Sequence, residues 1–147
     1  MRAGTRLAAL PTTPRIARAF VVDTLARWQR PCPVEVITLL TSEVVTNAVR
    51  HTTSDIDLGI RTTRTSVRVE VEDGSRSVPV RCDVEPLADA GRGLVIVGEL
   101  ARQWGVEPTP RGKKVWFEVP TAACEPRRQR DFWWWSGSPG ADLGGDW

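Results

Sequence analysis

The run from Val34 to His51, VEVITLLTSEVVTNAVRH, limits the fold more than any other part of the chain. Read at about 100° per residue, it sets Ile37, Leu40, Val44 and Ala48 in one apolar stripe. A helix with such a stripe must bury it against other elements. Glu43 and Asn47 fall one turn apart on the flank of the stripe, where a carboxylate and an amide are costly to bury without partners. Two readings of the pair follow. Either it is solvated on an ordinary surface helix, or it faces a ligand.

The segments on either side supply what this helix packs against. Met1 to Leu10 reads as a loose lead-in or an edge strand. Thr13-Pro14 has the form of a helix start, a capping hydroxyl followed by a proline at the first helical position. Ile16, Ala17, Phe20, Val21, Leu25 and Trp28 then make an apolar face, with Arg15, Arg18 and Val22 outward. Pro31 and Pro33 separate this helix from the next. After His51 the period changes to two. Ile56, Leu58 and Ile60 alternate with polar residues and glycine, and Val67, Val69 and Val71 alternate with Arg68, Glu70 and Glu72. The short Thr62–Arg64 link makes these strands a hairpin. Its apolar face requires a cover, which the helices provide.

The second strand ends in Glu72-Asp73-Gly74-Ser75, and a proline-bearing segment without periodicity runs on to Ala90. Gly91-Arg92-Gly93-Leu94 opens a further helix, in which Leu100, Ala101 and Trp104 keep helical spacing and Gly105 is the expected C-cap. Pro108 to Gly112 reads as a turn, and Lys114 to Val119 as a last strand with Val115, Phe117 and Val119 on one face. Beyond Pro120 periodicity is lost, and the stretch containing Trp133, Trp134 and Trp135 is expected to be disordered or partner-dependent. The expected organisation is a lead-in over residues 1–12, a domain over 13–120 and a tail over 121–147.

Charge and cysteine content exclude several classes. A net charge of +2, with basic residues scattered rather than striped, gives no case for direct nucleic-acid binding. Cys32, Cys82 and Cys124 are far apart and contain no CxxC pair, which argues against a disulfide framework or a structural metal and fits a reducing, cytoplasmic setting. No apolar run approaches the roughly 18 residues of a membrane span, and the N-terminus lacks the uninterrupted apolar core of a signal peptide.

Several separated signals call for one explanation. A helix carries Glu43 and Asn47, Asp73 follows a strand, and Gly91 and Gly93 open another helix. A glycine-led helix start offers free N–H groups and a positive dipole end, which suit phosphate. An amide oxygen can ligate Mg²⁺ already held by phosphates, and a neighbouring carboxylate can act as a general base.

In this order, SEVVTNAVRH, VEDGS and GRGLVIV, with WGVEP and KKVWFEV after them, resemble the boxes of the histidine-kinase-like (GHKL, or Bergerat-fold) ATP-binding domains. More narrowly, the chain resembles the small bacterial anti-sigma factor serine kinases and their single-domain relatives, over roughly Thr13 to Val119. The resemblance implies an α/β (α+β) two-layer sandwich, a mixed, mainly antiparallel sheet with three helices on one face. It implies ATP and Mg²⁺ as cofactors, with Asn47 as metal ligand, Glu43 as the catalytic acidic residue and Asp73 as acceptor for the adenine amino group. Gly91, Arg92, Gly93 and Leu94 would meet the phosphates, Ser75 the base or a water, and Arg50 and His51 the pocket edge. His51 read by itself is equally a helix-terminal capping histidine. The segment from Ser75 to Ala90 would be the nucleotide lid.

The sequence departs from the family where the first glycine box reads Asp-x-Gly-x-Gly, because Ser75 and Ser77 stand at two of its places. The threonine that many relatives carry before the last strand is replaced by Gly112-Lys113-Lys114. The implied function is transfer of the ATP γ-phosphate to a serine of an anti-sigma antagonist protein, with a sigma factor as sequestered partner and a homodimer admitted. The alternatives are a nucleotide-gated binding module without transfer, and a scaffold whose boxes no longer bind.

Overall fold

The computed structural model describes residues 1–76 and 92–121, with residues 92–95 described by their backbone alone. Expectations for the remainder of the lid, for Ser77 and Gly91, and for the tryptophan-rich tail fall outside these residues. The element order is β1 (Arg2–Leu7), α1 (Thr13–Trp28), α2 (Val34–His51), β2 (Ile56–Thr62), β3 (Ser66–Asp73), α3 (Arg92–Leu100), β4 (Gln103–Pro108) and β5 (Lys113–Pro120). The strands form a five-stranded open sheet in the order β1-β2-β3-β5-β4. Every pairing among them is antiparallel.

Period two along the strands sorts the sheet into two unlike faces. Ile56, Leu58, Ile60, Val67, Val69, Val71, Val115, Phe117 and Val119 are buried on the helix side. There they meet Ala17, Val21 and Leu25 of α1, Ile37, Leu40, Val44, Val45 and Ala48 of α2, and Val97 of α3. The predicted stripe of α2 is therefore its buried face, and α2 packs against α1, α3, β3 and β5. The other face is polar. There Arg68 lies 3.9 Å over the Trp116 ring and donates to Glu70 at 2.8 Å and to Glu118 at 3.4 Å.

Three local expectations are corrected. Thr13 is the first residue of α1 rather than its cap; its hydroxyl turns back to the Ala8 carbonyl and accepts from the Leu10 N–H at 3.1 Å, fastening α1 to the end of β1. Ile16 is half-exposed, so the buried face of α1 is narrower than its apolar residues suggest. Trp104 and Gly105 belong to β4, not to α3. The helix makes its last bond from the Ala101 N–H to the Val97 carbonyl, and the next residue already donates across the sheet, Arg102 N–H to the Glu118 carbonyl at 2.8 Å. Helical and strand spacing coincide for Trp104, and pairing with β5 decides between them. Gly105 faces Trp116, and a Cβ there would stand 2.9 Å from the indole. The glycine makes room for an aromatic ring and caps nothing. Of the two readings of the first residues, the edge strand is the one observed, with Arg2 to Leu7 paired along β2. No helix among the described residues is long and apolar enough to cross a membrane.

This division predicts a contrast on α2. Leu40 is fully buried and Leu39 is 43% exposed. Leu40→Ala should lower stability by about 2–5 kcal/mol, and Leu39→Ala by no more than about 0.5 kcal/mol. Urea denaturation of the two variants checks this.

Candidate functional site

The site is built where the C-terminal half of α2, the end of β3 and the start of β5 meet. Asp73 is the last residue of β3 and points to the helix side, where it has no solvent exposure. Its Oδ1 accepts the Ser75 N–H at 2.7 Å, which bends the chain sharply out of the strand. Its Oδ2 has no hydrogen-bond partner among the described residues. Lys113 is its cross-strand neighbour in β5, with Nζ 3.8 Å from Oδ2.

Two glycines allow the surrounding loops to close on this carboxylate. A Cβ on Gly112 would lie 2.3 Å from the Asp73 carbonyl oxygen and 2.6 Å from the Gly74 carbonyl carbon, both backbone atoms that cannot yield. A Cβ on Gly74 would lie 2.4 Å from Ser54 Oγ, on the connection between α2 and β2. Ser54 is held by Thr52, hydroxyl to hydroxyl at 2.9 Å, and its N–H donates to Thr52 Oγ1 at 3.1 Å. Neither glycine has positive φ, so each is needed for space and not for an unusual backbone conformation. The β4–β5 loop is also tied to the start of β2, because Arg111 pairs with Asp57 and donates to the Asp55 carbonyl at 3.1 Å.

Burial pushes the Asp73 carboxyl above its ordinary range, and the Ser75 N–H, Lys113 and His51 pull it back down, while Glu72 adds to the rise. Asp57 shows the opposite case: its hydrogen bond from Arg6 holds it below the ordinary range, with Arg111 assisting. The linkage signs differ accordingly. Asp73 favours the folded state most at low pH, and that contribution is lost as pH rises through its raised value. Asp57 contributes above the ordinary carboxylate range, and its contribution is lost as pH falls.

The other expected residues are placed as follows. Glu43 and Asn47 are half-buried, one turn apart on α2, and Asn47 Nδ2 is buried with no hydrogen-bond partner among the described residues. His51 is the exposed last residue of α2, near enough for its charge to act on Asp73, and Arg50 beside it is exposed. Helix α3 starts at Arg92, so the backbone of Arg92, Gly93 and Leu94 forms its first turn. Ser75 is buried against Asp73. Among the described residues no group of three or more His, Cys, Asp or Glu side chains could hold a metal ion by itself.

Lys113 was not among the expected site residues. The signal was available: extending the alternation of Val115, Phe117 and Val119 back by one step puts Lys113 on the buried face. Among the described residues a groove of about 430 Å³ lies elsewhere, on the polar face over Gly4 and Gly59. Its charged walls pair with one another, Arg6 with Asp57 and Lys114 with Glu70. The spare donor of Asn47 and the spare acceptor of Asp73 make the α2–β3 end the better candidate.

Comparison with known proteins gives this arrangement a family. Residues 7–119 match the model of the histidine kinase-like ATPase domain, and the chain belongs to that family. It is similar to blue-light-activated histidine kinase 2 of Erythrobacter litoralis (strain HTCC2594), with 40% identity over 99 residues, 60% of this chain and 29% of that protein. The chain therefore spans under a third of that relative's length. Its fold is shared with the crystal structure of the RsbU and RsbW domains of Rv1364c from Mycobacterium tuberculosis, at TM-score 0.63 and 20% identity over 82% of this chain and 32% of that one. The histidine kinase domain of Erythrobacter litoralis EL346 blue-light activated histidine kinase is 31% identical, over 60% of this chain and 44% of that chain, at TM-score 0.46.

The tight loop contact is testable. Gly112→Ala should destabilise the protein by about 1–3 kcal/mol, as expected of overpacking against a fixed backbone. Gly59→Ala, whose Cβ would make only ordinary contacts at 3.9 Å, should be neutral or slightly stabilising. Equal effects in thermal denaturation would contradict the geometry.

Proposed function

We propose that this chain binds ATP with Mg²⁺ at the α2–β3 end and transfers the γ-phosphate to a serine of a protein partner. The observation that carries the reading is a pair of buried polar atoms there with no hydrogen-bond partner among the described residues, Asp73 Oδ2 and Asn47 Nδ2. A buried carboxylate oxygen without a hydrogen bond costs stability, and an exocyclic amino group is the kind of donor that would satisfy it. The residues present therefore fit a nucleotide. Asp73 would hold the adenine amino group. Asn47 would present its amide oxygen to Mg²⁺ and its N–H to a phosphate oxygen. The first-turn N–H groups of α3, at Arg92, Gly93 and Leu94, would meet phosphate at the positive end of the helix dipole. Arg50 and His51 would border the pocket. Bound Mg²⁺·ATP supplies a phosphoryl group whose charge the metal neutralises. Glu43, one turn before Asn47, would take the proton of the attacking hydroxyl.

The anti-sigma antagonist as substrate, the sigma factor as partner and the homodimer are carried by the resemblance of the boxes to the anti-sigma serine kinases. The fold likeness to an RsbW-containing structure is compatible with them. One observation favours a second reading, a nucleotide-gated binding module: Ser75 stands where the family has glycine, and its buried N–H is committed to Asp73.

One experiment separates the readings. Mg²⁺·ATP at about 100 times its Kd should stabilise the wild type by about 2.7 kcal/mol, seen as a rise of several degrees in thermal midpoint, and Asn47→Ala should lose the rise. Glu43→Ala should keep the rise while ATP turnover falls by about 10²- to 10⁴-fold. A wild type that binds nucleotide yet transfers nothing when a serine-bearing anti-sigma antagonist is offered as acceptor supports the binding module, and no rise in the wild type refutes the nucleotide site.

A further inference from the structure

Lys113 occupies a position that hydrophobic packing alone would give to an apolar residue. It lies on the helix side of β5, one alternation before Val115 and Phe117, and its side chain is 4% exposed. A buried ion pair is seldom a net stabiliser, since desolvating both charges offsets their attraction. The pair that Lys113 makes with Asp73 is therefore poorly explained by stability. Its geometry is more informative. At 3.8 Å the Lys113 ammonium is close enough to compensate the Asp73 charge, yet too far to hydrogen-bond Oδ2. Oδ1 is already committed to the Ser75 N–H. The carboxylate is thus neutralised without spending its remaining acceptor. Gly112, pressed on the Asp73 and Gly74 backbone, fixes the Lys113 main chain relative to that of Asp73.

We propose that Lys113 is a positioning residue for the base site: across the strands from Asp73, it holds that carboxylate charged and leaves Oδ2 free to accept from an exocyclic amino group of the bound base. The functional half of this inference rests on the nucleotide reading above; the hold on Asp73 does not. The groups that act on Asp73 are Lys113 from β5, His51 from α2, Glu72 beside it in β3 and the Ser75 N–H from the exit loop. His51 is exposed, and water screens its charge. Lys113 is therefore the main compensating charge, and its removal leaves the Ser75 N–H as the principal group still opposing burial. A protonated Asp73 still carries a carbonyl oxygen but no longer offers a charged acceptor.

The test has two readouts on the whole chain. In nucleotide-free protein labelled with ¹³C at aspartate, the Asp73 carboxyl is assigned by comparison with Asp73→Asn and titrated in the wild type, Lys113→Met and Lys113→Arg. The carboxyl should titrate at higher pH in Lys113→Met and return toward wild type in Lys113→Arg. Mg²⁺·ATP affinity is then measured across the same pH range. In Lys113→Met it should weaken by about 10- to 100-fold as pH falls through the raised titration, while at high pH it approaches that of the wild type. Lys113→Gln, which keeps a polar head, replaces Lys113→Met where the latter does not fold. An unchanged Asp73 titration overturns the proposal, as does an affinity loss that is the same at every pH. A raised titration in a protein that binds no Mg²⁺·ATP in any form overturns the base-positioning role and the nucleotide reading together, while establishing the hold of Lys113 on Asp73.

Discussion

Asp73 is a carboxylate without solvent contact, and the cost of keeping it there governs how one end of the molecule is built. An uncompensated charge in such a place would neutralise itself or pull the loop open. Three devices prevent this. The Ser75 N–H binds one oxygen, Lys113 brings a compensating charge across the sheet, and Gly112 and Gly74 let the neighbouring loops approach closely. The devices come from two segments of sequence, Gly74-Ser75 and Gly112-Lys113, and with Ser54 against Gly74 they bring the exit of β3, the α2–β2 connection and the β4–β5 loop together.

Helix α2 supplies the other half of the site by the same logic of burial. Ile37, Leu40 and Val44 fix the rotation of the helix on the sheet, each worth about 1.5–3 kcal/mol of apolar burial. With that rotation fixed, Glu43 and Asn47 sit on the flank of the buried stripe, next to the core without being inside it. A group held on a packed helix is positioned more finely than one on a loop. The Asn47 side chain, whose Nδ2 has no hydrogen-bond partner among the described residues, is therefore positioned by the hydrophobic packing of its neighbours on the helix.

Legibility in the sequence followed the range of the interactions. The stripe of α2, the β2–β3 hairpin and the last strand are written in local periodicity, and the structure has all of them with small shifts at the ends. Asp73 could be singled out because it follows a strand and precedes glycine. What periodicity does not carry is the identity of a partner across the sheet. Trp104 satisfied helical spacing and is nevertheless in β4, because Gly105 had to face Trp116. Thr13 looked like a cap and instead bonds to the Ala8 carbonyl, directly after β1. The alternation of the last strand, carried back one step, puts Lys113 on the buried face, but that Asp73 is its neighbour is given only by the register of β5 against β3. The family likeness read from the boxes agrees with the family model matched over residues 7–119.

The most direct check on the location of the site is a map of backbone amide shifts as Mg²⁺·ATP is added to the ¹⁵N-labelled chain. The account predicts that the largest changes fall at Asn47, His51, Asp73, Gly74 and the first turn of α3. Changes centred on Gly4, Gly59 and the charged groove of the opposite face, or none at millimolar nucleotide, would contradict it.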